Sequence, residues 1–325
     1  MPRVLSGVQP TGDVHLGNYL GAFSRWASEQ QREHFFCIVD LHAMTTPFDP
    51  ALLRRRSVDL ATWLLACGLD PSTVTLFVQS EVREHSELAW VLGCVATMGE
   101  LQRMTQFKEK SEGRESVSVG LFTYPALMAA DILLYQAEQV PVGADQRQHL
   151  ELTRDLAQRF NARFGDTFTV PEPTFPVAGA RIMDLQLVDK KMSKSLDSPK
   201  GIILLDETES VTRKKIMSAV TDSEADVRAA PDKPGVTNLL DLFAAVTGSS
   251  VADLEQRFTG RGYGAFKAEL AEVVNGALRP VRDRYAELKS DPGTVDGLLS
   301  TGADRAREVA AATMATVRSR LGLRA

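Results

Sequence analysis

The sequence predicts an α/β protein, a doubly wound parallel sheet over residues 1–205 followed by an all-helical domain over 206–325. Three observations carry that reading. Strand-like and helix-like patterns alternate through roughly the first eighty residues. His34-Phe35-Phe36-Cys37-Ile38-Val39 is an almost unbroken apolar run, which suits a strand buried on both faces. Beyond about residue 200 the apolar spacings become almost all helical.

Taken in order, Arg3–Val8 reads as a strand and Pro10-Thr11-Gly12-Asp13 as a turn. A helix follows with Leu16, Tyr19, Leu20, Phe23 and Trp26 on one face. Residues 34–39 form the second strand. Residues 51–67 form a helix opened by Asp49-Pro50 and closed by Gly68, and 73–78 form the third strand. Right-handed crossovers leave few layouts for such a series. Residues 84–110 and 120–137 look helical around a polar loop from Lys110 to Val119. Val140-Pro141-Val142-Gly143 is a short strand and turn, and a long helix runs from Asp145 to Phe164. In the second region, helices are expected over 239–247, 251–258, 263–289 and 304–321.

The formal net charge of -5 argues against a basic coat for nucleic acid and restricts any such contact to local patches. Cys37, Cys67 and Cys94 are odd in number, widely spaced and set in apolar stretches, so buried free thiols are expected rather than a metal cluster or disulfides. No signal-peptide pattern opens the chain, and no apolar run approaches the ~20 residues of a membrane helix. A cytoplasmic location is the expectation.

Two segments carry the chemistry. His15-Leu16-Gly17-Asn18 begins the first helix directly after the first strand. A helix start offers unpaired N–H groups and partial positive charge to a phosphate. Gly17 leaves room for a flat base or ribose, and His15 and Asn18 both donate. By itself the tetrapeptide reads equally as an ordinary capped helix start. The second segment, Lys190-Lys191-Met192-Ser193-Lys194-Ser195, is a compact cationic loop suited to a polyphosphate whose charge rises in the transition state.

Together the two segments resemble the H-x-G-H and K-M-S-K-S signatures of the class I aminoacyl-tRNA synthetases, with Asn18 in place of the final histidine. Within that class the chain resembles the bacterial tryptophanyl-tRNA synthetases. The resemblance rests on Ser6-Gly7-Val8-Gln9-Pro10-Thr11-Gly12, on 99–110, on Met128-Ala129-Ala130-Asp131-Ile132-Leu133-Leu134-Tyr135 and on Pro141-Val142-Gly143-Ala144-Asp145-Gln146.

The resemblance implies a Rossmann-like catalytic domain, a homodimer built through 84–137, a mobile lysine loop at 190–200 and a helical domain that reads the anticodon of tRNA(Trp). It implies ATP and L-tryptophan as substrates, with Mg2+ bridging phosphate oxygens. His15, Asn18, Lys110, Lys191, Lys194 and Ser195 would neutralise the leaving pyrophosphate. Gln9, Pro10, Thr11, Gly17, Gly143, Ala144, Asp145, Ile182, Met192 and Ser193 would surround ATP. For tryptophan, the implied slot comprises Leu5, Gly7, Gln9, His42, Met128, Ile132, Val140 and Val142. Tyr124 and Gln146 would hold the α-ammonium, and Asp131 would accept from the indole N–H.

Without the resemblance, Asp131 reads as well as a helix cap or a solvent-facing acid. Many members of the family carry an aromatic residue where this chain has Leu5, so an altered response to slot-filling inhibitors is expected. A tyrosyl-tRNA synthetase and a non-charging paralog are the rival readings.

Overall fold

The structure, a computed structural model, describes residues 2–113, 116–174, 182–193 and 198–324. A five-stranded, all-parallel sheet in the order β3-β2-β1-β4-β5 forms its centre. The strands are β1 (Val4–Val8), β2 (His34–Ile38), β3 (Thr75–Val78), β4 (Gln139–Pro141) and β5 (Glu172–Thr174). Phe36 and Ile38 of β2 join one buried cluster, and Phe35 and Cys37 join the other, so the apolar run serves two faces. The chain builds outward through β2 and β3, then places β4 on the far side of β1. That reversal opens a crevice beyond the C-terminal ends of β1 and β4. β5 was not expected from sequence. Its Pro173 is tolerated because the strand lies at the sheet edge.

The first helix spans the whole apolar face expected of it, with a π turn in its middle. α1 (Leu16–Asn18) runs into a π turn (Tyr19–Phe23) before α2 (Ser24–Glu29) resumes. Next come α3 (Asp40–Ala43) and α4 (Pro50–Ala66). Asp49 caps α4 by accepting from the Leu52 N–H at 2.8 Å, and Gly68 follows it at φ 104°.

The expected helix over 84–110 is three helices: α5 (Glu84–Val95), α6 (Met98–Gln102) and α7 (Thr105–Ser111). Ala96 is extended, and Thr97 with Glu100 forms a capping box that starts α6, a signal legible as T-x-x-E. α8 (Val119–Leu134) stops short of 137 because Gln136 adopts φ 51°. Asp145 lies in a single 3-10 turn ahead of α9 (Arg147–Phe164).

Beyond residue 205 the named elements are α10 (Glu209–Met217), α11 (Pro234–Thr247), α12 (Val251–Phe258), α13 (Gly262–Ser290) and α14 (Pro292–Leu321). The core does not divide where the composition does. Leu239, Phe243 and Phe266 share a buried cluster with Phe36 and Leu76 of the sheet, and Ala306, Ala310 and Met314 of α14 join the cluster on the other face. Trp63 of α4 stacks on Tyr285 of α13 with ring centroids 3.6 Å apart. α14 begins at Pro292 rather than 304. Its Gly302 lets the helix lie on β3: a Cβ there would sit 1.8 Å from the Leu76 carbonyl oxygen.

The cysteines depart from expectation. Cys37 is buried, but Cys67 is half-buried and Cys94 is exposed on α5, whose apolar run does not all face inward. No helix among the described residues is long and apolar enough to cross a membrane.

Candidate active site

A cavity of about 1030 Å³ occupies the crevice at the strand reversal. Every residue assigned from sequence to the tryptophan slot lines it. Leu5, Gly7 and Gln9 come from β1 and its exit, and His42 from α3. Tyr124, Met128, Asp131 and Ile132 follow helical spacing on one face of α8. Val140, Val142 and Gln146 surround the end of β4. Gly143, Asp145, Lys110 and Ser193 line the same cavity, as do Cys37, Gln106 and Glu109, which sequence reasoning did not select.

Asp131 is 3% exposed and accepts three hydrogen bonds: from His42 Nε2 at 2.7 Å, Gln79 Nε2 at 2.7 Å and His85 Nδ1 at 2.6 Å. Burial pushes its pKa up, but the charge and hydrogen bonds of His42 and His85 outweigh burial and hold it at about 2. The result is a buried carboxylate fixed as an acceptor. His85 Nε2 in turn meets the Tyr135 hydroxyl at 2.8 Å. Gln79 and His85 escaped the sequence reading because they lie 52 and 46 residues from Asp131, a separation that no local pattern reports.

Tyr124 lies between two polar groups. Its hydroxyl is 2.7 Å from His149 Nε2 and 3.2 Å from Gln106 Oε1, and burial raises its pKa to about 12. His149, another residue missed from sequence, is 1% exposed, and its pKa falls to about 4 through burial and the nearby charges of Lys110 and His42. Gln146 spends its amide N–H on Asp145 Oδ2 at 2.8 Å, so its carbonyl oxygen is the atom it can turn toward a cation.

The two signature segments meet. Leu16 N–H donates to the Ile203 carbonyl at 2.8 Å and Leu205 N–H to the Val14 carbonyl at 3.0 Å, which draws the chain beyond the lysine loop onto the start of α1. Met192 is buried and its N–H donates to the Ile182 carbonyl at 3.0 Å. Burial and the charge of Lys191 lower the His15 pKa to about 4, so its imidazole is neutral at pH 7. Asn18 Oδ1 accepts from the His15 N–H at 3.0 Å, which leaves its amide nitrogen as the donor.

Gly17 is half-buried, and its missing side chain makes room for His15. A Cβ there would lie 3.0 Å from His15 Nδ1 and 3.7 Å from Met192 Cβ. Pro10 and Thr11 line a separate cavity of about 220 Å³. Ala144 lies in the turn that holds Asp145. Lys194 and Ser195 lie outside the described residues.

The stems of the lysine loop converge on Asp184, which is fully buried. Its Oδ1 accepts from the N–H groups of Gln186 and Leu187, both at 2.8 Å, and from Ser198 Oγ at 3.0 Å. Gly201 N–H donates to the Ser198 carbonyl at 2.9 Å, and its carbonyl accepts from Leu185 N–H at 2.9 Å.

A doubly wound sheet, a polar-bottomed cavity at its switch point and two meeting signature segments define the class I synthetase architecture. Residues 1–279 match the family model for tRNA synthetases class I (W and Y). Full-length relatives narrow this. The chain is 53% identical to tryptophan–tRNA ligase 2 of Streptomyces avermitilis, with 99% of this chain and 97% of that one covered. It is 54% identical to the tryptophan–tRNA ligase of Caldanaerobacter subterraneus, with 99% of each chain covered. Its fold matches the crystal structure of a Campylobacter jejuni tryptophanyl-tRNA synthetase complexed with ADP and tryptophan at TM-score 0.86 and 37% identity, covering 99% of this chain and 100% of the other. The chain belongs to the bacterial tryptophanyl-tRNA synthetases.

Proposed function

We infer that this protein is a tryptophan–tRNA ligase that activates L-tryptophan with ATP and transfers it to tRNA(Trp). The tryptophan carboxylate attacks the ATP α-phosphorus, an O–P bond forms, and the bond to pyrophosphate breaks. The 3′-terminal ribose hydroxyl of the tRNA then takes the aminoacyl group and releases AMP. The first step needs no base, because the nucleophile is already ionised, so the protein aligns the reactants and neutralises charge.

The observation that carries this reading is the Asp131 carboxylate on the cavity wall, held ionised by three donors. It suits an indole N–H, and a fixed acceptor discriminates against analogues without that proton. Leu5, Met128, Ile132, Val140 and Val142 are assigned to the indole faces, with His42 and Gly7 beside them. Tyr124 and Gln146 are assigned to the α-ammonium, and Gln9 to the carboxylate.

For ATP, Gly143 and Asp145 are assigned to the ribose, Gly17, Ile182 and Met192 to the adenine, and Pro10, Thr11, Ala144 and Ser193 to the surrounding wall. His15 and Asn18 serve as neutral donors, and Lys110, Lys191, Lys194 and Ser195 hold the departing pyrophosphate. Mg2+ would enter with ATP through phosphate oxygens, a mode that suits an ion slow to shed its waters.

Exposed Trp90 at 76%, Met98 at 64% and Val119 at 76% on α5, α6 and α8 support a homodimer through 84–137. The helical segment from 206 is assigned to tRNA, and the location to the cytoplasm. Most of its basic residues are already committed: Arg213 pairs with Glu272, Arg257 with Glu269, Arg279 with Glu209 and Lys215 with Glu207.

Tryptophan-dependent ATP–pyrophosphate exchange followed by tRNA charging tests the function. Exchange with tryptophan but not tyrosine is expected. Exchange driven by tyrosine, or none at all, rejects it. Sedimentation at micromolar protein tests the dimer, and a monomer mass rejects it.

A further inference from the structure

We propose that His149 is a positioning residue for the α-ammonium of the amino acid: its Nε2 takes the phenolic proton of Tyr124, so that the Tyr124 oxygen turns only lone pairs toward the cavity. The inference rests on the assignment of Tyr124 to the ammonium group and extends it to a residue outside the cavity lining.

An ammonium group donates and accepts nothing, so an oxygen that holds it must have its own proton pointing elsewhere. Tyr124 has one proton and two candidate acceptors. His149 Nε2 is at 2.7 Å, whereas Gln106 Oε1 is at 3.2 Å and also accepts from Lys110 Nζ at 3.2 Å. A phenol is the more acidic donor and an imidazole nitrogen the more basic acceptor, so the short contact takes the proton in the tautomer that carries the ring proton on Nδ1, which is buried and makes no hydrogen bond among the described residues.

Nε2 can accept only while the ring is neutral. The groups around His149 keep it so. Burial opposes a charge on the ring most, Lys110 of α7 and His42 of α3 oppose it further, and Asp145 acts in the other direction. A protonated ring would reverse the contact. His149 would then donate to the phenol, and the Tyr124 proton would swing to Gln106 or toward the bound cation. Thr153 Oγ1 donates to the His149 carbonyl at 2.9 Å, inside α9. The ring is therefore carried by a helix rather than a loop.

The test compares tryptophan with indole-3-propionate, which lacks only the ammonium group. Dissociation constants are measured for wild type, His149→Phe, His149→Gln, Tyr124→Phe and the Tyr124→Phe/His149→Phe double variant. Loss of the acceptor should weaken tryptophan binding about tenfold, the typical worth of one hydrogen bond to a charged group, with indole-3-propionate unchanged. His149→Gln, whose carbonyl can accept, should recover part of the preference. In the Tyr124→Phe background His149→Phe should change nothing further.

An unchanged ratio between the ligands in His149→Phe overturns the proposal, as does an equal loss for both ligands or an undiminished effect in the Tyr124→Phe background. Should His149→Phe fail to fold, Tyr124→Phe alone must lose the preference, and a retained preference overturns the proposal. Wild-type protein that binds both ligands equally overturns the ammonium assignment itself and this inference with it.

Discussion

Replacing Asp131 by Asn removes the charge and keeps the shape, so it isolates what the buried carboxylate contributes. Asp131 accepts from His42 on Oδ2 and from Gln79 and His85 on Oδ1, at 2.6–2.7 Å. A carboxylate has about four acceptor sites, so three protein donors leave one for a ligand. In Asp131→Asn the amide oxygen should stay with the two donors on the Oδ1 side, and the new NH2 then faces His42 and the cavity. A ligand N–H would meet a donor instead of an acceptor.

A hydrogen bond to a charged group is worth about 1.5–3 kcal/mol, or roughly 10- to 150-fold in affinity at 1.36 kcal/mol per decade. KM for tryptophan in ATP–pyrophosphate exchange should rise by that factor while KM for ATP stays near wild type. A benzothienyl analogue of tryptophan, which carries sulfur in place of N–H, should bind poorly to wild type and lose little more in the variant. The variant should also lose about 1–3 kcal/mol of stability from the strained network. The Asp131 pKa, near 2 in the folded state against 3.8 unfolded, makes its contribution complete above pH 4 and lost as pH falls toward 2. A folded Asp131→Asn protein with unchanged tryptophan KM refutes the assignment.

Three further outcomes follow from named contacts. His15 and His149 titrate near 4 when folded against 6.5 when unfolded, so the unfolded chain binds more protons between those values. Stability should be flat above pH 7 and fall by several kcal/mol, to order of magnitude, as pH drops from 6.5 toward 4. Melting temperatures at pH 7.5, 6 and 5 measure this, and His149→Gln should flatten the slope. Gly201→Ala would put a Cβ 1.8 Å from Asp184 Oδ1 and so disturb both stems of the lysine loop. It should cost about 1–3 kcal/mol of stability and lower the exchange kcat with tryptophan binding retained, and a normal exchange rate speaks against the loop anchor. Leu5 is 3% exposed on the cavity wall, and Leu5→Phe should change inhibition by flat indole-like compounds about two- to tenfold through ring stacking, whereas identical inhibition constants exclude the idea.

The sequence by itself determined the parts whose signals are local. The apolar run at 34–39, the Asp49-Pro50 start of α4, the two signature segments and the helical pattern over α8 are all properties of neighbouring residues. Resemblance over long segments then supplied the amino acid. Tertiary structure decided what depends on distant partners. Asp131 is an anchored acceptor only because His42, Gln79 and His85 reach it from β2–α3, the end of β3 and α5. His149 reaches Tyr124 from another helix, and position 302 of α14 takes glycine because β3 lies beneath it. The lysine segment is cationic by composition, but its place beside His15 comes from the hydrogen bonds of Leu16 and Leu205 and from the stems gathered on Asp184. Pattern fixes which face of an element is buried, whereas the groups that orient a buried charge come from wherever packing brings them, so they leave no periodic trace in the chain.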